Sequence, residues 1–347
     1  MGPSQPRTET YGRRQVAPPA EITHADLLTF TKQARTQIKD LHQENAASID
    51  SIESSAVVIC LDEELPRTAE ERAHQFWHGN GSNRYSDKPL QFIITPGNSG
   101  FNGEHSRLDG SPVIRLNKHV NKFLLDFRDD ESSKPDISRS SLLLPTKLPI
   151  HLSEEMLTAI DRAQARFDRA VADCQLETLS YDGFGETFLR KMGCHPSTTV
   201  QMVFQLASYR FYGKLIPIFE PVGNFRFQQG RYDAVRTLSD ETASFCASMT
   251  NNDGPEEQIK RLRAAMNSHI KRVRDLSFGA SVDNHMFGLA MSLRKDEEAE
   301  IFTDRIYRYS TDWFFSTSYM PADEMEYGFG PDVDDGWSVQ YPIWPDR

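Results

Sequence analysis

The sequence predicts an α/β fold in two pieces, joined near residue 150. Three observations lead there. Short apolar, β-branched runs at residues 56–61 and 90–95 have the length of buried strands. Around them, apolar residues recur at three- and four-residue steps, as on one face of a helix. Between residues 126 and 148, Pro135, Ser138, Ser140, Ser141 and Pro145 interrupt any long element, and the helical pattern resumes beyond them.

The elements follow in order. Residues 1–22 are rich in Pro, Arg, Gln and Thr and read as a disordered lead-in. Residues 23–47 read as a helix, with Leu27, Phe30, Ala34, Ile38 and Leu41 in register and Thr23 or Asp26 as its cap. Residues 56–61 form a buried strand, residues 79–83 a loop and residues 90–95 a second strand. Residues 112–116 lead into a helix carrying Val120, Phe123 and Leu124. After the linker, residues 153–177 carry Met156, Ile160, Ala163, Phe167, Val171 and Cys174 on one stripe. Residues 198–212 form a helix opened by His195-Pro196-Ser197, and a long charged helix covers residues 255–275, its charged face read as solvated. Residues 283–294 and 297–309 read as helical, and residues 313–315 and 337–341 as β-like. The division is therefore residues 23–150 and residues 151–347.

Composition narrows the function. The 347 residues carry 39 basic and 50 acidic side chains, a net charge of −11, which argues against a dedicated nucleic-acid binder. No apolar run approaches the roughly 18 residues that span a membrane. The N-terminus has no signal-peptide core and the C-terminus is not a peroxisomal address, so a cytoplasmic location is expected. Cys60, Cys174, Cys194 and Cys246 are widely spaced, with no metal-ligand spacing among them, and are expected to be buried, reduced thiols. No metal is expected.

The segment richest in chemistry is Gly103-Glu104-His105-Ser106, followed by Asp109-Gly110. An imidazole on a Gly-flanked turn suits proton transfer near neutral pH. Alone it reads as a turn former far more readily than as a base. Far downstream, Ser316-Thr317-Ser318 offers three hydroxyls, which alone would read as a polar strand edge.

Read in order, the motifs resemble the carnitine/choline O-acyltransferase family. They are Cys60-Leu61-Asp62 with Pro66-Arg67, Asp87-Lys88-Pro89-Leu90-Gln91-Phe92-Ile93, and Glu104-His105-Ser106 with Asp109-Gly110. Gln201, Gln205-Leu206-Ala207, Tyr209-Arg210, Tyr212-Gly213 and Gly230-Arg231 follow. Asp283-Asn284-His285, Ser316-Thr317-Ser318 and Phe329-Gly330-Pro331 with Asp335-Gly336 complete the set, over about residues 25–345. The resemblance implies a coenzyme A-dependent acyltransferase-like fold of two similar α/β domains, with a tunnel between them. His105 matches the general base and Ser318 the hydroxyl that stabilises the tetrahedral oxyanion. Ser316 and Thr317 match residues on the acceptor side. Asp109 is a carboxylate beside the base, with a role in shaping the loop weighed equally against a catalytic one. No resident cofactor is implied; the thioester is a co-substrate.

The departures bear on substrate. Phe219, Tyr232 and Asn284 match the Tyr, Thr and Arg that grip carnitine's carboxylate, so the charge-assisted clamp is gone. Two aromatics there suit a quaternary ammonium or a larger neutral alcohol. On the donor side, Glu186 stands at the first of two lysines that hold the 3′-phosphate of coenzyme A and Arg190 at the second, with Lys191 beside it. A carboxylate there repels a phosphate, whereas phosphopantetheine on an acyl-carrier protein has no 3′-phosphate. This is similar to the acyltransferase domains of fungal highly reducing polyketide synthases. The resemblance also implies truncation at both ends, with the first domain incomplete. The expected activity is therefore acyl transfer from a carrier-protein or coenzyme A thioester to a small-molecule alcohol, in fungal polyketide metabolism. The alternatives are a carnitine- or choline-type enzyme with a small acceptor, or a non-catalytic remnant; a second chain could complete the fold.

Overall fold

The computed structural model describes residues 24–106, 108–129, 145–320 and 326–347. The expected lead-in, residues 130–144 of the expected linker and Pro321 lie outside the described residues.

The first part opens with two helices, α1 (His24–Leu41) and α2 (Gln43–Ser54), where the sequence pattern suggests one. His42 breaks the run: its backbone is extended and its side chain accepts the Glu44 N–H, capping α2. Strand β1 (Val58–Leu61) pairs in parallel with β2 (Gln91–Ile94), and β2 pairs antiparallel with β3 (Ser99–Asn102). Helix α3 (Ala69–Trp77) lies between β1 and β2, started by a Thr68/Glu71 capping box. Helix α4 (Gly110–Asp129) starts before Pro112, which the first helical turn tolerates because its N–H has no partner there; its last turn overlaps the expected linker. The β1–α3 joint is held from inside, where Asp62 takes hydrogen bonds from Arg84, Gln75 and Asn83, with both members of the Asp62–Arg84 pair buried.

Helix α5 (Glu154–Ala172) buries no residue completely, so its expected apolar stripe is only partly covered. The second sheet has the order β5-β4-β6-β7. Its strands are β4 (Ile218–Gly223), β5 (Tyr232–Arg236), β6 (Phe315–Tyr319) and β7 (Trp337–Tyr341), with β4, β6 and β7 mutually parallel and β5 antiparallel to β4. Helices α7 (Pro196–Tyr212), α8 (Asp240–Thr250) and α9 (Pro255–Ser277) pack on it around Met202, Phe245, Cys246, Ala265 and Met266. A second cluster, Ile216, Ile218 and Phe315, seals the sheet end. A short α6 (Glu186–Lys191) precedes α7; α10 (Asp283–Met291), α11 (Glu300–Thr303) and α12 (Arg305–Ser310) lead to β6. The expected helix over residues 297–309 splits because Asp304 turns extended and caps α12. All four cysteines are free, but only Cys246 is fully buried. Among the described residues no helix is long and apolar enough to cross a membrane.

Candidate active site

His105 stands between β3 and α4. The turn before it needs glycine: a Cβ on Gly103 would meet Pro89 O at 2.7 Å. Glu104 N donates to Lys88 O, and the Glu104 carboxylate accepts from both the Ser106 N–H and hydroxyl. The His105 side chain is 63% exposed, and its Nδ1 lies 3.6 Å from Asp109 Oδ1.

Arg231, just before β5, holds this loop. Its Nη2 donates to Asp109 Oδ1 at 2.6 Å and to the His105 carbonyl at 3.0 Å, and its Nη1 donates to the Ser106 carbonyl at 2.7 Å. The planar guanidinium can serve a carboxylate and two carbonyls at once. Hydrogen bonding to Asp109 raises its pKa further above the usual value. The grip carries His105 onto the second sheet, where the Tyr232 ring lies 6.3 Å away, centroid to centroid. Asn284, on α10, donates to the Tyr232 carbonyl. A Cβ on Gly110 would stand 3.5 Å from Met320 Cε, so the first turn of α4 also reaches the end of β6, two residues past Ser318.

Strand alternation sorts the remaining candidates. Phe219 pairs with Arg236 on one side and Ser316 on the other, so these side chains share a face with Tyr232 and Ser318. On that face the Ser316 hydroxyl donates to Asp332. Phe219 is only 1% exposed: Trp313 stacks on it at 4.4 Å and the Arg236 guanidinium lies over its ring, itself paired with Asp283. Thr317 points to the opposite face. Its hydroxyl donates to the Phe219 carbonyl and accepts from Gln201, which also donates to the Tyr341 hydroxyl.

That opposite face carries a buried polar group which the sequence did not single out. Glu220 of β4 pairs with His269 of α9 at 2.9 Å, and His269 is 1% exposed. Burial pushes the Tyr341 hydroxyl well above the usual tyrosine range, with Glu220 adding to the effect. Burial lowers the pKa of His195, at the start of α7, and Arg190 lowers it further. The spacing of these residues along the chain gives no signal of the cluster; only the helix packing assembles it.

The donor candidates lie at this side too. Arg190 is exposed and bound to Glu186 through both Nε and Nη2, at 2.6 Å each. Lys191 closes α6, and the Tyr319 hydroxyl, one residue past Ser318, is within electrostatic reach of Glu186 and Arg190. The first amides of α6 donate to the Trp344 and Pro345 carbonyls. A cavity of about 540 Å³ lies elsewhere, between Glu64–Arg67 and α3, and none of the candidate residues lines it.

The sequence model described as choline/carnitine O-acyltransferase matches residues 13–347. The mitochondrial carnitine O-acetyltransferase of Saccharomyces cerevisiae is 31% identical, over 91% of this chain and 49% of its own length. Carnitine O-acetyltransferase of Rattus norvegicus is 30% identical over 90% of this chain and 51% of its own. Choline O-acetyltransferase of Sus scrofa is 31% identical over 95% and 53%. The chain thus spans about half the length of the curated relatives it matches.

Proposed function

Because the chain belongs to the choline/carnitine O-acyltransferase family, we propose that it transfers an acyl group from a thioester to an alcohol, with His105 as general base. The observation that carries this reading is the Arg231 grip, which holds the His105 loop against the sheet face bearing Tyr232, Ser316 and Ser318. With Asp109 on the Nδ1 side of the ring, Nε2 takes the proton of the acceptor hydroxyl. The alcohol oxygen bonds to the thioester carbonyl carbon. The tetrahedral oxyanion accepts a hydrogen bond from the Ser318 hydroxyl, a contribution of about 3 kcal/mol for one such donor. Collapse breaks the carbon–sulfur bond, and the thiolate takes back the proton from His105. No covalent acyl-enzyme is formed.

Residues 23–150 then supply the base, and residues 151–347 the oxyanion donor and most of the acceptor wall. Tyr232 and Asn284 line the acceptor side. The expected pair of aromatics is reduced to Tyr232, because Phe219 is buried under Trp313 and its ring is already faced by Arg236. Phe219 and the buried Ser316 support this side from beneath, and Thr317 holds β6 from behind. With no cation at Asn284 to hold a carboxylate, a neutral alcohol fits best. The Glu186–Arg190 pair leaves little net positive charge for a 3′-phosphate, which supports a phosphopantetheine donor on an acyl-carrier protein, with Lys191 alongside, over acyl-CoA. A polyketide chain in fungal secondary metabolism fits that donor, and a cytoplasmic setting fits four unpaired cysteines; fractionation that finds the protein in another compartment would overturn the location. A second reading, a small quaternary-ammonium acceptor, is favoured by the exposed Tyr232 ring beside His105.

The test supplies acyl-pantetheine thioesters and acetyl-CoA with polyols, choline and carnitine. The expected result is ester formation on a polyol from the pantetheine donor, falling at least about a hundredfold in His105→Ala and comparably in Ser318→Ala. Equal ester formation by the wild type and His105→Ala sinks the assignment, and preference for choline selects the second reading. A completing chain is supported by Ile59, Leu61 and Ile94, exposed on one face of the first sheet. Polypeptide corresponding to the rest of the relatives' length is proposed to cover that face. A single sharp thermal transition of this chain alone would count against it.

A further inference from the structure

At the joint of α1 and α2, on a surface unused by the proposed chemistry, three metal-ligating side chains converge. His151 Nε2 lies 2.7 Å from Glu44 Oε2, and His42 Nδ1 lies 3.6 Å from the same oxygen. The two imidazole rings are 4.1 Å apart, and one ligand atom from each of the three residues lies within 4.8 Å of the others. Tetrahedral zinc with bonds of about 2.0–2.1 Å sets its ligand atoms about 3.3 Å apart. The two measured separations bracket that value, and all three side chains are exposed enough to adjust.

The backbone beneath them is fixed, which distinguishes the cluster from a chance surface encounter. Asn45 is 0% exposed; its side chain accepts the His151 N–H at 2.6 Å and donates to the His151 carbonyl at 2.7 Å and the Ile38 carbonyl at 2.9 Å. Ser48 donates to the Pro149 carbonyl at 2.7 Å. A buried amide thus locks two segments, over a hundred residues apart, in the register that brings His151 to Glu44. Outer bonds of this kind commonly orient metal ligands.

We infer that His42, Glu44 and His151 form a surface site for a divalent transition metal ion of the zinc class, which ties the segment entering α5 to the α1–α2 joint. Two imidazole nitrogens and one carboxylate oxygen suit zinc, with water in the fourth position, and suit calcium or magnesium poorly. The ion takes the His42 Nδ1 lone pair, which otherwise accepts the Glu44 N–H, and displaces the proton shared by Glu44 and His151 to solvent. The positive end of α2 opposes a cation there, so the Glu44 charge is required and the imidazoles alone do not suffice. The sequence expectation of no metal rests on the spacing of the cysteines, whereas this arrangement uses none of them and joins His42 and Glu44 to a histidine more than a hundred residues later.

The test titrates the full, untagged, metal-free chain with zinc chloride against a competing chromophoric chelator, with thermal melts in parallel. His74 and His78 form a separate imidazole pair on α3 and its cap, with Nδ1 and Nε2 2.9 Å apart, so His74→Ala/His78→Ala is the control. One equivalent of zinc is expected to bind and raise the melting temperature. His151→Gln and Glu44→Gln should each weaken binding by more than about tenfold and abolish the zinc-induced rise, while the control retains both. His42→Ala also loses the α2 cap, so only its zinc-induced shift is read. Absence of stoichiometric binding, binding untouched by His151→Gln, or binding lost in the control overturns the assignment.

Discussion

Replacing Arg231 probes how His105 is held. Arg231 makes three distinct contacts with the loop: the short bond to Asp109 and those to the His105 and Ser106 carbonyls. A hydrogen bond to a charged group contributes about 1.5–3 kcal/mol when well shielded. The Arg231 side chain is 46% exposed, so each is discounted to about 1 kcal/mol. Together they hold the loop by about 3 kcal/mol, which is roughly a hundredfold in the closed-to-open ratio. Arg231→Ala is therefore expected to speed hydrogen exchange in residues 104–110 by about a hundredfold. In the proposed reaction it should also lower kcat by a similar factor, because displacement of a base by about an ångström has that effect. The same contacts are absent from the unfolded chain, so global stability should fall too, by up to about 3 kcal/mol. Arg231→Lys keeps the charge near Asp109 but has no fork to span two carbonyls, so it should recover less than half of either loss on a logarithmic scale. In a double-mutant cycle with Asp109→Ala, the exchange readout should give a coupling of about 1 kcal/mol. The reasoning is refuted if Arg231→Ala exchanges and turns over within about threefold of wild type, or if Arg231→Lys restores both fully.

Two further predictions concern groups away from the catalytic loop. Hydrogen bonding from Arg84 holds the Asp62 carboxyl below its usual range. The stability it contributes is complete above its unfolded value, near pH 4, and is lost as pH falls from there through the depressed folded value. Wild-type melting temperature should fall steeply below about pH 4, whereas Asp62→Asn should start several degrees lower at neutral pH and fall less steeply, because it leaves the buried Arg84 without its counter-charge. Equal acid slopes in the two proteins count against this account. Burial pushes the Cys246 thiol up to about 11, so thiolate at about pH 8 is roughly a hundredfold scarcer than for an ordinary thiol. Ellman's reagent should leave Cys246 unmodified in the native protein and label it on unfolding; rapid native labelling at that position, read by peptide mass, refutes the burial argument.

Much of the candidate site's geometry was legible because its signals are local. Ser316-Thr317-Ser318 alternates in a strand, so the two serines must share a face and Thr317 must take the other. The turn that carries His105 was legible from its flanking glycine, and the structure leaves no room for a Cβ at Gly103. The Glu186–Arg190 pair could be read from its four-residue spacing. Other elements were hidden for physical reasons. Strand β3 reads Ser-Gly-Phe-Asn, a poor strand sequence, and exists because β2 offers it a partner. Strand β4 contains Pro221, which usually argues against an interior strand. It is tolerated because β4 pairs with β6 only at Ile218 and Phe219, so the missing N–H falls beyond that ladder. Arg231 was visible as part of a motif, but its role was not, since its partners lie over a hundred residues earlier in the chain.

The two faces of the second sheet separate the residues proposed to bind the two substrates. Ser316, Ser318, Phe219 and Tyr232 share the face that meets His105, whereas Thr317, Tyr319 and Glu220 face the helices and the α6 side. In the proposed reaction, acceptor and donor recognition therefore depend on alternate residues of the same strands. Replacing Asn284 or Glu186 would change charge on one side without touching the strand that carries Ser318. What both sides share is the position of β6, set by the Gln201–Thr317–Phe219 hydrogen bonds behind it. In the proposed reaction, that buried trio, and the Arg231 grip in front, are the features that a change of substrate would have to leave in place.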